Sequence, residues 1–139
     1  MSRRVLVLFL ACAAACTPVS MIDRKIEVSA AQFQDIPVPA GFRLVDARHE
    51  SHSLALGEYR FGVFRYVGSG SVDSAASYVM ERMPQHAWTL VERHGEGTDS
   101  QRIVFERDDY TAEYRVRLEE SRTLIDVDVR THARPIAKG

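Results

Sequence analysis

One short stretch, Asp46-Ala47-Arg48-His49-Glu50-Ser51-His52, holds the residues of this chain that most resemble metal ligands. Two imidazoles three positions apart, with carboxylates nearby, could share one zinc or copper ion. The spacing differs from the helical His-Glu-x-x-His arrangement of metalloproteases, and the sequence places no third or fourth ligand beside the pair. We therefore expect solvated loop residues and no bound metal. A metal-dependent hydrolase at His49 and His52 is kept as one alternative.

Closely spaced carboxylates are the second candidate for chemistry, and they occur at Asp108-Asp109, at Glu119-Glu120 and at Asp126 with Asp128. General acid–base catalysis needs two carboxyl groups in unequal environments that separate their pKa values. The first two pairs fall in predicted turns, and the third faces outward from a predicted strand with arginine neighbours. The sequence also lacks a Gly-x-Ser-x-Gly elbow and a Gly-x-x-x-x-Gly-Lys phosphate loop. We expect no enzyme activity and no cofactor.

An apolar cluster made of Met80, Met83 and Trp88 could line a ligand groove between a helix and a sheet. Packing of the same side chains in a hydrophobic core is the stronger interpretation of the pattern. The groove interpretation would make the protein a periplasmic carrier of a small apolar ligand or lipid. We keep the carrier as an alternative function.

The N-terminal residues carry a signal for export. Arg3-Arg4 precede an apolar run at residues 5–15, and small residues lead to Cys16, which together are the parts of a secretory signal. The run is shorter than the roughly 20 apolar residues that span a bilayer. Ala13-Ala14-Ala15 before Cys16 resembles the lipobox of bacterial lipoproteins, so we predict cleavage before Cys16 and lipidation of its thiol. Cys12 is a rival acceptor, and an ordinary secretory signal without lipid is the other alternative.

The amino-acid composition limits the kinds of molecule that the protein is expected to bind. Lys and Arg total 18 against 19 Asp and Glu, and the two signs alternate along the chain instead of forming a basic patch. A nucleic-acid partner is therefore not expected. The 2 cysteines, Cys12 and Cys16, both lie in the N-terminal region, so the folded domain has no disulfide and no thiolate zinc site. Its hydrophobic core must hold it together.

Hydrophobic periodicity predicts the element order ββαββββ. Strands are expected at residues 42–47 and 54–67, then a helix that Ser71 caps and Pro84 ends, and then four strands, of which 110–119 and 123–130 alternate most strictly. The strand at 54–67 is apolar on both faces, which predicts that it is central and covered on both sides. We predict an α+β fold: a curved, mainly antiparallel sheet of about six strands with one helix packed on a face.

The predicted domain organisation follows from composition. Residues 1–15 form the signal peptide, residues 16–35 the lipidated cysteine and a tether, residues 36–131 one domain, and residues 132–139 a polar tail. Pro37, Pro39 and Gly41 mark the start of the domain.

Several short motifs of this sequence are similar to those of a known group of proteins. They are Val38-Pro39-Ala40-Gly41-Phe42, Arg60-Phe61-Gly62, Tyr66-Val67-Gly68, and Met83-Pro84 followed by Trp88. Their spacing over residues 36–129 resembles small uncharacterised bacterial lipoproteins, although relatives often have glycine where this chain has Ala87. The resemblance implies an exported α+β domain and implies no activity.

These observations together predict a lipid-anchored module that faces the periplasm in a bacterial envelope. The outer membrane is expected because Thr17 does not resemble the aspartate that retains lipoproteins at the inner membrane. The expected work is binding or scaffolding. The N-terminal lipid would contact the membrane, and an envelope protein would be the partner.

Overall fold

The computed structural model describes residues 32–47, 50–95 and 99–132. The described residues confirm the α+β class, with one α-helix packed on an antiparallel sheet. The elements are β1 Arg43–Leu44, β2 His52–Leu56, β3 Tyr59–Gly68, α1 Val72–Arg82, a 3₁₀ helix Met83–His86, β4 Thr89–His94, β5 Ser100–Arg107, β6 Tyr110–Glu119 and β7 Arg122–Thr131. Over these ranges, no helix is both long enough and apolar enough to cross a membrane.

The strands form one sheet in the order β1-β3-β7-β6-β5-β4, with β2 also paired to β3. All the pairs are antiparallel. β2 pairs with the first half of β3, and β1 pairs with the end of β3 at Tyr66 and Val67. These two short strands therefore share one edge of the sheet, and β4 forms the opposite edge.

The single strand predicted at 54–67 is wrong, because the chain turns back within it as a hairpin. Leu56 pairs with Tyr59, and Gly57 and Glu58 make the turn. Gly57 has a φ of 59°, which glycine adopts without the steric cost that a side chain would add. Gly62 serves a different purpose, since a Cβ there would lie 2.6 Å from the Phe64 ring. The first glycine turns the chain, and the second allows a close approach.

The helix forms as its sequence predicts. The Ser71 hydroxyl accepts a hydrogen bond from the Ser74 backbone N–H at 3.1 Å, and Asp73 lies in the first turn, where a negative charge is favourable. The buried face of α1 packs against β5 and β6, and its members are Val72, Ala75, Ala76 and Val79. The α-helix ends at Arg82, and Pro84 lies in the 3₁₀ turn that follows.

The chain before β1 covers the β3 side of the same inner face. Ile36 is buried, and the Phe33 ring packs edge-on against Phe64 with ring centroids 5.4 Å apart. Phe42 lies against Gly68 at the other end of β3. The core therefore lies between the inner face of the sheet and a layer made of α1 and this segment. Phe33, in the segment expected to be tether, is part of that packing.

Candidate functional site

Of the two predicted metal ligands, His52 alone lies within the described residues. His49 and Cys16 lie outside the described residues. His52 is on β2 opposite Val63, and its ring lies 5.4 Å from the Phe61 ring, centroid to centroid. Among the residues that the structure describes, no group of three or more His, Cys, Asp or Glu side chains could hold a metal ion. His52 therefore contacts an apolar neighbour in this part of the chain.

The predicted groove residues lie in the core. Met83 and Trp88 are buried, and Met80 is half-buried and packs against the core. The Tyr114 hydroxyl donates to Met83 Sδ at 3.4 Å, and Trp88 Nε1 donates to the Asp35 carbonyl oxygen at 3.1 Å. Protein contacts occupy these side chains, as the core interpretation expects.

The strand carboxylates are held by arginines on the outer face. Asp126 accepts hydrogen bonds from Arg65, whose Nε lies 2.6 Å from Oδ1, and from Arg117. Burial raises the pKa of Asp126, but the hydrogen bonds and charges of the two arginines outweigh burial and lower that pKa below its usual range. This carboxylate stays ionised near neutral pH, so it is unsuited to donating a proton.

Glu113 on β6 has the same kind of environment. Arg102 donates to it through two nitrogens at 3.0 Å, and Arg115 Nε lies 2.6 Å from Oε1. The hydrogen bonds from Arg102 lower the pKa of Glu113 against the opposing effect of burial. The outer face of β5, β6 and β7 thus carries a network of ion pairs. Pairs of this kind solvate a sheet face and add little stability each.

A more buried group of charges ties the chain before β1 to the sheet. Asp35 accepts two hydrogen bonds from Arg60 on β3, at 2.5 and 2.8 Å, and one from Arg107 on β5 at 2.6 Å. We call these three residues the Asp35 cluster. Burial pushes the pKa of Asp35 upward, yet the two arginines prevail and lower it from 3.8 to about 2. The cluster joins β3 and β5 to the segment before β1 on the inner face of the sheet.

Aromatic rings surround the Asp35 cluster. The Arg60 guanidinium lies 4.2 Å from the centroid of Phe33, and the Arg107 guanidinium lies 4.6 Å from that of Trp88. Cation–π contacts of this kind strengthen when water is excluded. Every charge in the cluster has a partner within it, which indicates a structural role. Sequence reasoning missed the cluster because its members lie far apart along the chain.

One edge of the sheet exposes apolar side chains. Leu54 is 53% exposed, Leu56 is 73% exposed and Tyr59 is 50% exposed. They share the outer face of the β2–β3 hairpin, since Leu56 pairs directly with Tyr59 and Leu54 with Phe61. We call Leu54, Leu56 and Tyr59 the hairpin patch. The prediction that this strand is covered on both sides is wrong for the described residues, because nothing among them covers the patch.

The opposite edge, β4, also exposes two apolar side chains, Leu90 and Val91, but it differs in its charged side chains and its backbone. A bulge interrupts its pairing with β5 between Leu90 and Glu92. Glu92 pairs with Arg102 at 2.9 Å, and Arg93 donates to the Gln101 side chain at 3.0 Å. Bulges and charged side chains are features that discourage another strand from adding to an edge.

A shallow cleft lies at the end of the hairpin. It has a volume of about 440 Å³ and is lined by Glu58, Tyr59, Asp108, Asp109, Tyr110 and Thr131. The Tyr110 hydroxyl donates to the Glu58 carbonyl oxygen at 2.6 Å, which holds the hairpin turn against the start of β6. The cleft contains the carboxylates of Glu58, Asp108 and Asp109, and the guanidinium groups of Arg60 and Arg107 lie 5.5 and 5.9 Å from the centroid of the Tyr110 ring.

Comparisons with known proteins leave the chain without an assigned family, since no family model, no curated protein and no solved structure matches it. The resemblance to small bacterial lipoproteins therefore stays a prediction.

Proposed function

We propose that this protein is a lipid-anchored component of a bacterial envelope, and that its domain is a non-catalytic binding or scaffolding module acting through the hairpin patch. The observation that carries the proposal is the joint exposure of Leu54, Leu56 and Tyr59 on one sheet edge. Isolated exposed apolar residues are ordinary, but a contiguous group of them is typical of an interaction site. The pairing of carboxylates with arginines elsewhere supports a role that does not involve acid–base chemistry.

The anchor in this proposal is Cys16, which follows the apolar run and the small residues of the lipobox-like sequence. Its lipid would hold the domain at the periplasmic side of the outer membrane. The test is the mass of the N-terminal peptide from protein extracted from membranes, with Cys16→Ser as the control. A diacyl or triacyl mass that is lost in the variant is expected. An unlipidated N-terminus in the unchanged protein would overturn the anchor while leaving a binding role open.

The binding role is tested in cells with a photo-crosslinking amino acid at position 56 of the full-length chain. The matched control places the same amino acid at Leu118, which is 50% exposed and lies outside the patch. We expect a discrete crosslinked product from position 56 and none from position 118. Equal products, or no product from position 56, would contradict binding through the hairpin patch.

A further inference from the structure

We infer that the hairpin patch contacts the bilayer itself, so that Leu56 and Tyr59 enter the headgroup region of a zwitterionic lipid surface while Cys16 holds the chain to the same membrane. This inference rests on the proposed function and names lipid as the partner of the patch. Three features support it: the place where the chain enters the domain, the side chains that the hairpin exposes, and the charges beside them.

The described chain enters the domain at the hairpin end of the sheet. The Phe33 ring lies 4.2 Å from the guanidinium of Arg60, which is the second residue of β3 after the hairpin turn. Cys16 precedes Phe33 by 17 positions, a length of chain that spans at most about 60 Å. Gly68, at the other end of β3, lies about 25 Å farther along the strand than Arg60. A lipid on Cys16 is therefore attached to the domain at the end that carries the hairpin turn.

The tip of the hairpin exposes side chains that suit the surface of a bilayer. Leu56 is the last residue of β2 and the most exposed member of the patch, and Tyr59 pairs directly with it. The two side chains project together on the outer face. Leucine gains free energy on leaving water, and tyrosine can place an apolar ring among lipid headgroups while its hydroxyl stays hydrated.

The backbone of the hairpin turn limits the depth of this contact. Backbone N–H and C=O groups without hydrogen-bond partners are costly in hydrocarbon. The Glu58 carbonyl oxygen accepts a hydrogen bond from the Tyr110 hydroxyl at 2.6 Å, and water among the headgroups can hydrate other polar groups of the turn. The tip therefore enters the headgroup region and stays outside the hydrocarbon core.

The charge beside the tip determines the kind of lipid. β2 and the turn after it contain no Lys or Arg, and the turn contains Glu58. Asp108 and Asp109 line the cleft next to Glu58. The two arginines nearby belong to the Asp35 cluster, where they already bind a carboxylate. Anionic headgroups would repel the carboxylates at this end, so the favoured surface is zwitterionic.

The anchor allows so small a patch to stay at the membrane. Three exposed side chains bind a lipid surface weakly by themselves. A lipid on Cys16 makes their contact with the bilayer intramolecular, with an effective concentration on the order of millimolar. The anchor and the hairpin tip then act as two points of attachment on one side of the domain.

The test places tryptophan at the tip and measures its quenching by brominated lipid. Full-length protein extracted from membranes is reconstituted into phosphatidylcholine vesicles, with or without bromine on the acyl chains. We expect Leu56→Trp and Tyr59→Trp each to lose emission in the brominated vesicles, because bromine quenches a tryptophan that lies in the bilayer. The buried Trp88 gives the background emission, which the unchanged protein measures.

Leu118→Trp is the matched control. Leu118 is 50% exposed, and it pairs with Thr123, which in turn pairs with Gly68 at the end of the sheet away from the hairpin turn. Its added tryptophan should keep the same emission in both kinds of vesicle. Circular dichroism checks the fold of each variant, and the second tip variant guards against failure of the first.

The preference for zwitterionic lipid is tested by adding phosphatidylglycerol to the vesicles. Quenching of Leu56→Trp should decrease as the anionic lipid increases. Glu58→Gln in the same chain should restore part of the quenching, and so should salt, which screens charges over about 10 Å at 0.1 M. Quenching that increases with phosphatidylglycerol would overturn the preference for a zwitterionic surface.

The outcomes separate this inference from the proposed function. Protein that carries lipid and floats with the vesicles, but shows no quenching at either tip position, would overturn the inference alone. Equal quenching of Leu118→Trp would also overturn it, because the hairpin end would then not be the end that faces the bilayer. A chain that does not float would overturn the anchor and the inference together.

Crosslinking in cells identifies any other occupant of the patch. Under this inference the product from position 56 is an adduct with a phospholipid. A product that contains another protein, a second copy of the chain or the chain's own N-terminal residues would contradict lipid as the partner. The first two of these products would leave the patch as a binding surface.

Discussion

The two edge strands of this sheet, β4 and β2, differ in charge and in regularity. β4 contacts the 3₁₀ helix and follows the buried Trp88. It carries Glu92 and Arg93 and contains a bulge. β2 is uncharged and regular and exposes Leu54 and Leu56. An exposed, uncharged edge invites association with another strand. The two edges therefore differ in the features that discourage the addition of another strand.

The largest expected difference between the edges concerns stability. Trp88→Ala should lower the free energy of unfolding by about 3–5 kcal/mol, because it removes a large buried side chain next to β4. Leu56→Ala at the other edge should change it by less than about 0.5 kcal/mol, since the side chain is exposed. Urea denaturation of both variants measures the difference. Similar losses in the two would mean that the hairpin patch is packed in solution.

Removing the carboxylate of the Asp35 cluster should loosen the hairpin side of the sheet. Because the pKa of Asp35 is about 2 in the folded protein and 3.8 in the unfolded chain, Asp35 contributes stability that is present above pH 3.8 and is lost as the pH falls toward 2. The shift corresponds to about 2 kcal/mol. Asp35→Asn should remove this acid dependence, and the amide protons of β3 should exchange faster than those of β6.

Asp46→Asn serves as the control for the Asp35 variant, since it changes an exposed carboxylate to the same amide. Its acid unfolding profile should match that of the unchanged protein. An Asp35→Asn profile that also matched it would show that the cluster does not join the segment before β1 to the sheet.

Within the hairpin, replacing each of two glycines by alanine should lower the free energy of unfolding by different amounts. Gly62→Ala places a Cβ 2.6 Å from the buried Phe64 ring and 2.9 Å from Phe33, so overpacking should cost about 1–3 kcal/mol. Gly57→Ala meets open space and should cost about 1 kcal/mol through its φ of 59° alone. Thermal unfolding of the two variants gives the comparison. A reversed order would place the contact with the core at the turn and not at Gly62.

The smallest effect on stability is expected from charges introduced at the two edges. Leu56→Lys and Val91→Lys should each change the free energy of unfolding by less than about 0.5 kcal/mol, because both sites are exposed. Only Leu56→Lys should abolish crosslinking from a photoreactive residue at position 59. If Val91→Lys abolished it as well, the functional difference between the edges would be refuted.

The elements with strict periodicity were predictable from the sequence. β6 and β7 alternate over ten residues each, and the apolar spacing, Ser71 and Pro84 define α1. The hairpin was not predictable, because a glycine between two apolar runs is compatible with a bulge as well as with a turn. Only pairing across Gly57 decides between them.

The candidate site was harder to predict than the fold. Apolar residues on both faces of a strand indicate burial on both sides, but they occur equally on an edge that binds a partner. The sequence cannot distinguish these cases, because burial depends on which elements cover the strand. The Asp35 cluster has no local pattern at all. Its three residues meet only because β3 and β5 lie at different positions in one sheet beneath the same segment.

The position of β7 has a consequence for the order of folding. β7 is the last strand among the described residues, yet it lies in the interior of the sheet and joins β3 to β6. The hairpin, made early in synthesis, therefore gains its long-range partner only when residues 122–131 have emerged. Pairing between segments so distant in sequence slows folding, because a long loop must close first. The hairpin side of the sheet therefore stays unpaired with the rest of the sheet until β7 is made.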